Sequence, residues 1–324
     1  MPEIFIWLAV FIVSLYALIK ASDYFIDAAE TISRAIGIPP FIIGVTIVAL
    51  GTSFPELMSS IIAVLEDSSE IVTGNVVGSN IANVFLVLGT IAVVGWKIEL
   101  DFEVQRVDLI VFFASAIALW LALYDYVFDV WEGVAFLVAL IVYLTYTIIM
   151  GKKNGNDNKN ADADDNQIPP PTIQFATIAT LIVSLIIIPL SANYNITSII
   201  KLSEILNIGK DIIALSAVAI GTSLPELFVS ISAVRKGNPE MALGNVLGSN
   251  IFNILAVMSI SSFIGVLKVE PLIADFCVPV MLVATFLYYF FVRDKKIMWW
   301  EGFILLSFYV LFIFKVFGDT LTGI

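Results

Sequence analysis

The most restrictive feature of this chain is that it repeats itself. Residues 51–90 read GTSFPELMSSIIAVLEDSSEIVTGNVVGSNIANVFLVLGT and residues 221–260 read GTSLPELFVSISAVRKGNPEMALGNVLGSNIFNILAVMSI; at a constant shift of 170 (221 − 51) and without a gap, 20 of 40 positions are identical. Two copies of one segment require an architecture that serves both. Both copies are also far more apolar than a soluble core. Hydrophobic residues make up 60% of the 324-residue chain and charged residues 14%, against roughly 45–50% and about 25% in soluble domains. An ordinary soluble domain is thereby excluded.

Apolar runs of a length that crosses about 30 Å of hydrocarbon as helix fall in ten places: 4–20, 41–65, 71–96, 107–124, 133–150, 173–190, 212–234, 241–266, 276–292 and 302–316. The first has no basic segment before it and no small-residue cleavage site, so it reads as a retained helix. Between the fifth and sixth runs, residues 152–171 are rich in Asn and Asp and end in Pro169, Pro170 and Pro171, the composition of a disordered linker. The expected organisation is a first five-helix repeat over residues 1–150, a cytoplasmic acidic linker at 151–171 and a second five-helix repeat over 172–324. Five is odd, so the second copy enters the membrane from the opposite side. Inverted repeats of this kind characterise secondary transporters. Numbering the loops alternately places twelve of the 16 lysines and arginines on one face and four on the other. The basic face is cytoplasmic, which puts both termini outside a cell membrane.

Histidine is absent and the single cysteine, Cys277, has no partner, which removes the usual zinc ligand, the common general base and any disulfide framework. A net charge of −12 argues against nucleic acid as a partner. No cofactor is expected.

Within the repeat, Glu56 lies about ten residues before the end of its span, roughly 15 Å at 1.5 Å per residue and so near mid-bilayer. Glu226 is its equivalent, 170 positions on, and no other acid lies as deep in a predicted span. A charge at the centre of a lone helix costs about 2.5–3.5 kcal/mol even on lenient scales, so a matched pair implies partners or ligands. Pro55 and Pro225 stand directly before these glutamates. Each lacks an N–H and clashes with the carbonyl four residues back, at Gly51 or Gly221, and pushes Phe54 or Leu224 out of helical geometry. The expectation is unwound backbone at 49–52 and 219–222, with carbonyl oxygens free to coordinate a cation. The second part of each copy begins at Gly74 or Gly244, about half a bilayer into its span, and faces the glutamates. Ser79 with Asn83, and Ser249 with Asn253, share a helix face four residues apart. Hydroxyl and amide oxygens around two carboxylates form a hard, all-oxygen environment suited to sodium or calcium.

Plainer explanations exist for individual residues. The GxxxG pairs Gly74 with Gly78 and Gly244 with Gly248 suit close helix packing. A lone proline is usually a kink, and a lone Ser or Asn usually bonds to backbone; the duplicated set is what carries weight. Glu70 and Glu240 open helices, where the dipole accounts for an acid. The acids of the linker suit a solvated face, and the sequon at Asn195 is discounted as a chance match.

The paired GTSxPEL and GNVxGSNIxN segments closely resemble the two α-repeats of the sodium/calcium exchanger family, within the cation/calcium antiporter superfamily. The specific match covers the two forty-residue segments, and the rest agrees in span number and layout. A linker of about twenty residues leaves no room for a calcium-sensing domain, so the chain is similar to prokaryotic-type members that lack one. The resemblance implies an all-α polytopic membrane protein with ten transmembrane helices in two inverted-topology repeats, ions binding between the second, third, seventh and eighth. It implies that Glu56 and Glu226 bind calcium together with carbonyl oxygens at Thr52 and Thr222. Sodium sites would use the same carboxylates plus oxygens at Ala49, Ser53, Ser79, Ala219, Ser223 and Ser249. An aspartate at the position of Asn253 accompanies potassium use in one branch, so the asparagine implies potassium independence. The implied activity is secondary active antiport of sodium for calcium, electrogenic, with Na+ and Ca2+ as partners. The leading rival is a proton/calcium antiporter using the same glutamates; a passive channel, or an intramembrane hydrolase using two acids, stands further off.

Overall fold

The computed structural model describes residues 2–99, 106–161, 172–205, 223–293 and 295–322. Its helices, in chain order, are α1 (Pro2–Ile36), α2 (Pro40–Leu65), α3 (Glu70–Gly95), α4 (Arg106–Ala122), α5 (Val130–Ala161), α6 (Phe175–Ile205), α7 (Leu224–Arg235), α8 (Pro239–Ser262), α9 (Ile273–Arg293) and α10 (Trp299–Thr322). Among the described residues nine helices are long and apolar enough to cross a membrane, and α7 is the described remainder of the span that holds the second glutamate. The protein is a polytopic, all-helical membrane protein.

Three helices outlast their apolar runs by more than ten residues at one end, for physical reasons. The first run ends at Lys20, but α1 continues to Ile36 because its polar extension has a docking surface. Asp23, Asp27 and Glu30 recur at helical spacing and meet Ser232, Lys236 and Asn238 at the α7–α8 turn. α6 runs on to Ile205 through Pro189, a residue that spans tolerate when neighbouring groups take up the freed carbonyl. α5 continues to Ala161, into residues whose composition suggested a disordered linker; a helix nucleated in the membrane needs only one further bond per added residue. The rest of that linker, residues 162–171, lies outside the described residues.

Burial sorts the helices into a core and a rim. The apolar window of α8 is 100% buried within the protein and that of α1 only 17%. α8 packs on α2, α5 and α7; α3 packs on α10, and α4 on α9. α1 lies along α6 and also against α7. The rim helices turn large apolar side chains outward, among them Phe5, Ile12, Phe175, Val183, Leu311 and Phe314, as a lipid-facing surface requires.

Two small antiparallel pairings tie the halves together outside the spans. β1 (Lys97–Glu99) pairs with β4 (Lys296–Met298) in the register Lys97↔Met298, Ile98↔Ile297, Glu99↔Lys296. β2 (Val127–Phe128) pairs with β3 (Leu267–Lys268). Trp96 stacks on Trp299 beside the first pairing, ring centroids 5.3 Å apart. Glu99 there is held below the usual carboxylate range, chiefly by the Lys97 ammonium that bonds to it and secondarily by Lys296.

The close approach of α2 and α8 depends on glycine. A Cβ on Gly244 would stand 2.3 Å from the Phe41 carbonyl oxygen, and one on Gly248 2.4 Å from that of Val45. The partner on α2 is Gly44, whose Cβ would meet the Met241 carbonyl oxygen at 2.3 Å. For this pair the packing explanation of GxxxG holds. Gly44 opens a π-helical turn, Gly44–Val48, and it is not part of the repeated segment.

Candidate cation-binding site

α2 is interrupted at Ser53 (φ −88°, ψ 4°), and α7 opens immediately after Ser223 in the same conformation (φ −91°, ψ 4°). Pro55 and Pro225 take early helical positions, where a missing N–H costs little. Glu56 and Glu226 fall in the first turn of their helices, where free N–H groups and the helix dipole favour a negative charge. Both are 0% exposed. Ser53 occupies the cap position of the Glu56 helix but makes no capping bond there. Its hydroxyl instead donates to Glu226 Oε1 at 3.2 Å, in the opposite repeat.

The backbone differs from the unwinding expected at 49–52. Ala49–Thr52 is α-helical, and the Ala49 carbonyl oxygen accepts from the Ser53 N–H at 3.0 Å. One residue absorbs the proline constraint, so the interruption is confined to Ser53. A carbonyl has a second lone pair, which leaves the Ala49 and Thr52 oxygens chemically able to coordinate. Ala219 and Thr222, with the unwinding expected at 219–222, lie outside the described residues.

α3 and α8 turn polar residues toward α2, α7 and each other. Each widens into a π-helical turn, Asn83–Leu88 and Asn253–Val257, that begins at repeat-equivalent asparagines. Such turns are rare and concentrate at functional sites. Asn83 Nδ2 donates to Asn250 Oδ1 at 3.0 Å, and Asn250 Nδ2 to the Asn80 carbonyl at 3.4 Å. Thr52 Oγ1 donates to Asn245 Oδ1 at 3.0 Å and lies 3.3 Å from Ser249 Oγ. Ser79 is buried on the same helix as Asn83, and Ala49 touches α8 at Gly248.

The hydrogen-bond accounting is unusual. Both oxygens of Glu56, Oε2 of Glu226, the Ser223 hydroxyl, Oδ1 of Asn83 and both polar atoms of Asn253 are buried without a partner. Such atoms cost about 1–3 kcal/mol each and are few in folded proteins. With Asn80 Oδ1, eight of the eleven such atoms among the described residues lie in the two repeated segments, and seven of those eight are oxygens; the other three belong to Asp108, Thr147 and Ser261. No group of three or more His, Cys, Asp or Glu side chains occurs among the described residues, so any cation held here would meet two carboxylates supplemented by neutral oxygens.

The structure adds residues that the spacing argument passed over. Asn245 donates to Ser230 Oγ at 3.0 Å, and Asn75 to Ser60 Oγ at 3.3 Å; the pairs are repeat-equivalent (60 + 170, 75 + 170). Their recurrence in both copies was the available signal. Asp108 is also fully buried, although it sits at the start of a predicted span. Its Oδ1 accepts from the Tyr143 hydroxyl at 3.0 Å. The sequon residue Asn195 is buried within α6 and donates to Ser14 Oγ of α1 at 3.3 Å.

Comparison with known proteins agrees with this geometry. The sequence profile described as sodium/calcium exchanger protein matches residues 6–149 and 176–318. The chain is 36% identical to the sodium/calcium exchanger MaX1 of Methanosarcina acetivorans, over 95% of this chain and 97% of that protein. It is 30% identical to the inner membrane protein YrbG of Escherichia coli K12, over 86% of each. The solved structure of the sodium-calcium exchanger NCX_Mj superposes with a TM-score of 0.81 at 30% identity, covering 97% of this chain and 99% of that one. Profile, relatives and fold thus converge: the chain belongs to the sodium/calcium exchanger family and is a membrane cation/calcium antiporter, not an enzyme.

Proposed function

We propose that the protein exchanges Na+ for Ca2+ at one shared site, alternately opened to the two sides of a cell membrane. The observation that carries this reading is the matched pair of buried glutamates, with three of four carboxylate oxygens unpartnered and no basic side chain bonded to either among the described residues. Two carboxylates balance one calcium ion or accept several sodium ions, but not both loads together, and that competition enforces exchange. Glu56 and Glu226 supply the charge. Oxygens of Ala49, Thr52, Ser53, Ser79, Asn83 and their equivalents Ala219, Thr222, Ser223, Ser249 and Asn253 complete the coordination.

Three sodium ions per calcium would carry one net charge per cycle, and each such charge is worth about 2.3 kcal/mol per 100 mV. Transport is therefore electrogenic, and with asparagine at 253 it needs no potassium. The excess of Lys and Arg on one set of loops supports a cytoplasmic central linker with both termini outside. The residue ranges 1–150 and 172–324 act as the two inverted halves.

The test uses purified protein in vesicles with sodium, potassium and proton gradients imposed separately. Outward sodium alone should drive calcium uptake, an imposed membrane potential should change its rate, and Glu56→Gln or Glu226→Gln should abolish it. Uptake driven by protons without sodium would transfer the assignment to proton/calcium antiport. Wild-type rates in both glutamine variants would remove the glutamates from the mechanism.

A further inference from the structure

We propose that Asn245, anchored by Ser230, is a positioning residue that commits the hydroxyl protons of Thr52 and Ser249 and so presents their lone pairs to the transported cation. This rests on the shared-site reading above.

One fully buried side chain makes three polar contacts. Asn245 is 0% exposed. Its Nδ2 donates to Ser230 Oγ on α7 at 3.0 Å, which fixes the direction of the amide and leaves Oδ1 as the acceptor. Oδ1 receives Thr52 Oγ1 at 3.0 Å, from α2 in the opposite repeat, and Ser249 Oγ at 3.4 Å, from the next turn of α8. An amide oxygen has two lone pairs, so it can take both protons. A hydroxyl has one proton and two lone pairs. With the proton committed elsewhere, what remains to face the site is acceptor only, the polarity a cation requires. Without Asn245, both hydroxyls could turn a proton toward the carboxylates and compete with the ion for the same negative charge. The alternative acceptors for Thr52 are both farther than the amide oxygen, Ser249 Oγ at 3.3 Å and the Ala49 carbonyl at 3.4 Å.

The asparagine–serine clasp recurs in both repeats. Asn75, the counterpart of Asn245, donates to Ser60 Oγ at 3.3 Å and also reaches Ser59 Oγ at 3.3 Å and the Glu56 carbonyl at 3.5 Å. In each copy an asparagine one turn before the motif serine reaches back to the helix that carries the glutamate. A purely structural clasp would need only the amide nitrogen and its serine. The two hydroxyls on the amide oxygen of Asn245 couple the clasp to residues of the site.

The experiment measures calcium half-saturation, by uptake into sodium-loaded vesicles and by calorimetric binding to the solubilised protein, for Asn245→Leu, Thr52→Val/Ser249→Ala and the triple variant. Asn245→Leu should raise half-saturation about tenfold with a smaller effect on maximal rate. In the Thr52→Val/Ser249→Ala background, where no hydroxyl is left to orient, the same change should add less than about twofold. Full additivity would overturn the proposal, because Asn245 would then act through the scaffold alone. Should Asn245→Leu fail to fold, Ser230→Ala frees the amide to rotate. Its smaller rise must vanish in the same background, and persistence there would equally reject the idea. Wild-type uptake and its loss in Glu226→Gln report separately on the exchange reading, while calorimetry scores the positioning role whether or not turnover occurs.

Discussion

Replacing Gly244 by alanine tests whether the α2–α8 contact holds the site in register. The added methyl would sit 2.3 Å from the Phe41 carbonyl oxygen, 3.0 Å from the Val45 nitrogen and 3.1 Å from the Gly44 Cα. All three are backbone atoms, so no rotamer change relieves the clash. Carbon–oxygen contacts begin near about 3.3 Å, and α8 must therefore move off α2 by roughly 1 Å (3.3 − 2.3). The next residue is Asn245, whose bond to Thr52 on α2 is 3.0 Å long. Lengthened to roughly 4 Å, it ceases to be a hydrogen bond. Overpacking costs about 1–3 kcal/mol and a lost buried bond about 0.5–1.5 kcal/mol, for a destabilisation of roughly 2–4 kcal/mol. Gly44→Ala meets the Met241 carbonyl oxygen at the same 2.3 Å and should cost as much. The double variant should cost less than the sum, because one separation accommodates both methyls. Thermal unfolding in detergent and calcium half-saturation in vesicles give the readouts. An unchanged melting temperature and half-saturation in Gly244→Ala would refute the claim that backbone contact at this crossing positions the site.

Three other substitutions separate structure from transport. Asp108→Leu leaves the buried Tyr143 hydroxyl without its acceptor and should lower stability by about 1–3 kcal/mol, whereas Asp108→Asn keeps an acceptor and should unfold near the wild-type temperature with transport intact. Lys236→Glu opposes Asp27, which is 58% exposed; the loss should stay within about 1 kcal/mol, shrink in high salt, and be recovered by adding Asp27→Lys. With the coordination proposed above, Asn253→Asp would change a calcium-loaded site from neutral to one net negative charge, so calcium uptake should become responsive to an added monovalent cation, read as a shift in calcium half-saturation across a potassium titration.

What the sequence disclosed was whatever the repeat duplicates. The break before each glutamate follows from a proline that cannot donate, and the polar faces of α3 and α8 follow from four-residue spacing. Helix ends were less legible, because they depend on tertiary partners. Nothing local says that α1 should outlast Lys20; the α7–α8 turn, more than two hundred residues away, supplies Ser232, Lys236 and Asn238 to its acids. The width of the interruption at Ser53 was overestimated because a proline rule counts lost bonds and does not say how few residues can absorb them. Asp108 escaped notice because its depth was judged by sequence position, while its burial comes from packing between α4 and Tyr143 of α5. Asn245 was passed over because a single asparagine in a span carries little information until its serine and its hydroxyl partners are seen together.

Ser53 and Ser223 are the same residue in two copies of GTSxPEL. Ser53 donates to Glu226 Oε1 at 3.2 Å, while the Ser223 hydroxyl and both oxygens of Glu56 have no partner. Since the local sequences agree, the difference belongs to the conformation and not to the residues. Inverted repeats make the converse arrangement, Ser223 serving Glu56 with Ser53 released, chemically equivalent. On the exchange mechanism proposed above, two such arrangements would be the end states of an alternating cycle, and a substitution that weakens one shifts population to the other. A hydrogen bond to a charged group is worth about 1.5–3 kcal/mol, so Ser53→Ala should disfavour the arrangement seen here at least tenfold and Ser223→Ala should disfavour its converse. Calcium half-saturation measured from each side of oriented vesicles should therefore shift in opposite senses in the two variants, and the double variant should restore the wild-type ratio between sides. A shift in the same sense for both would mean that the serines act only as ligands and that the asymmetry at Glu56 and Glu226 does not mark a step of the cycle.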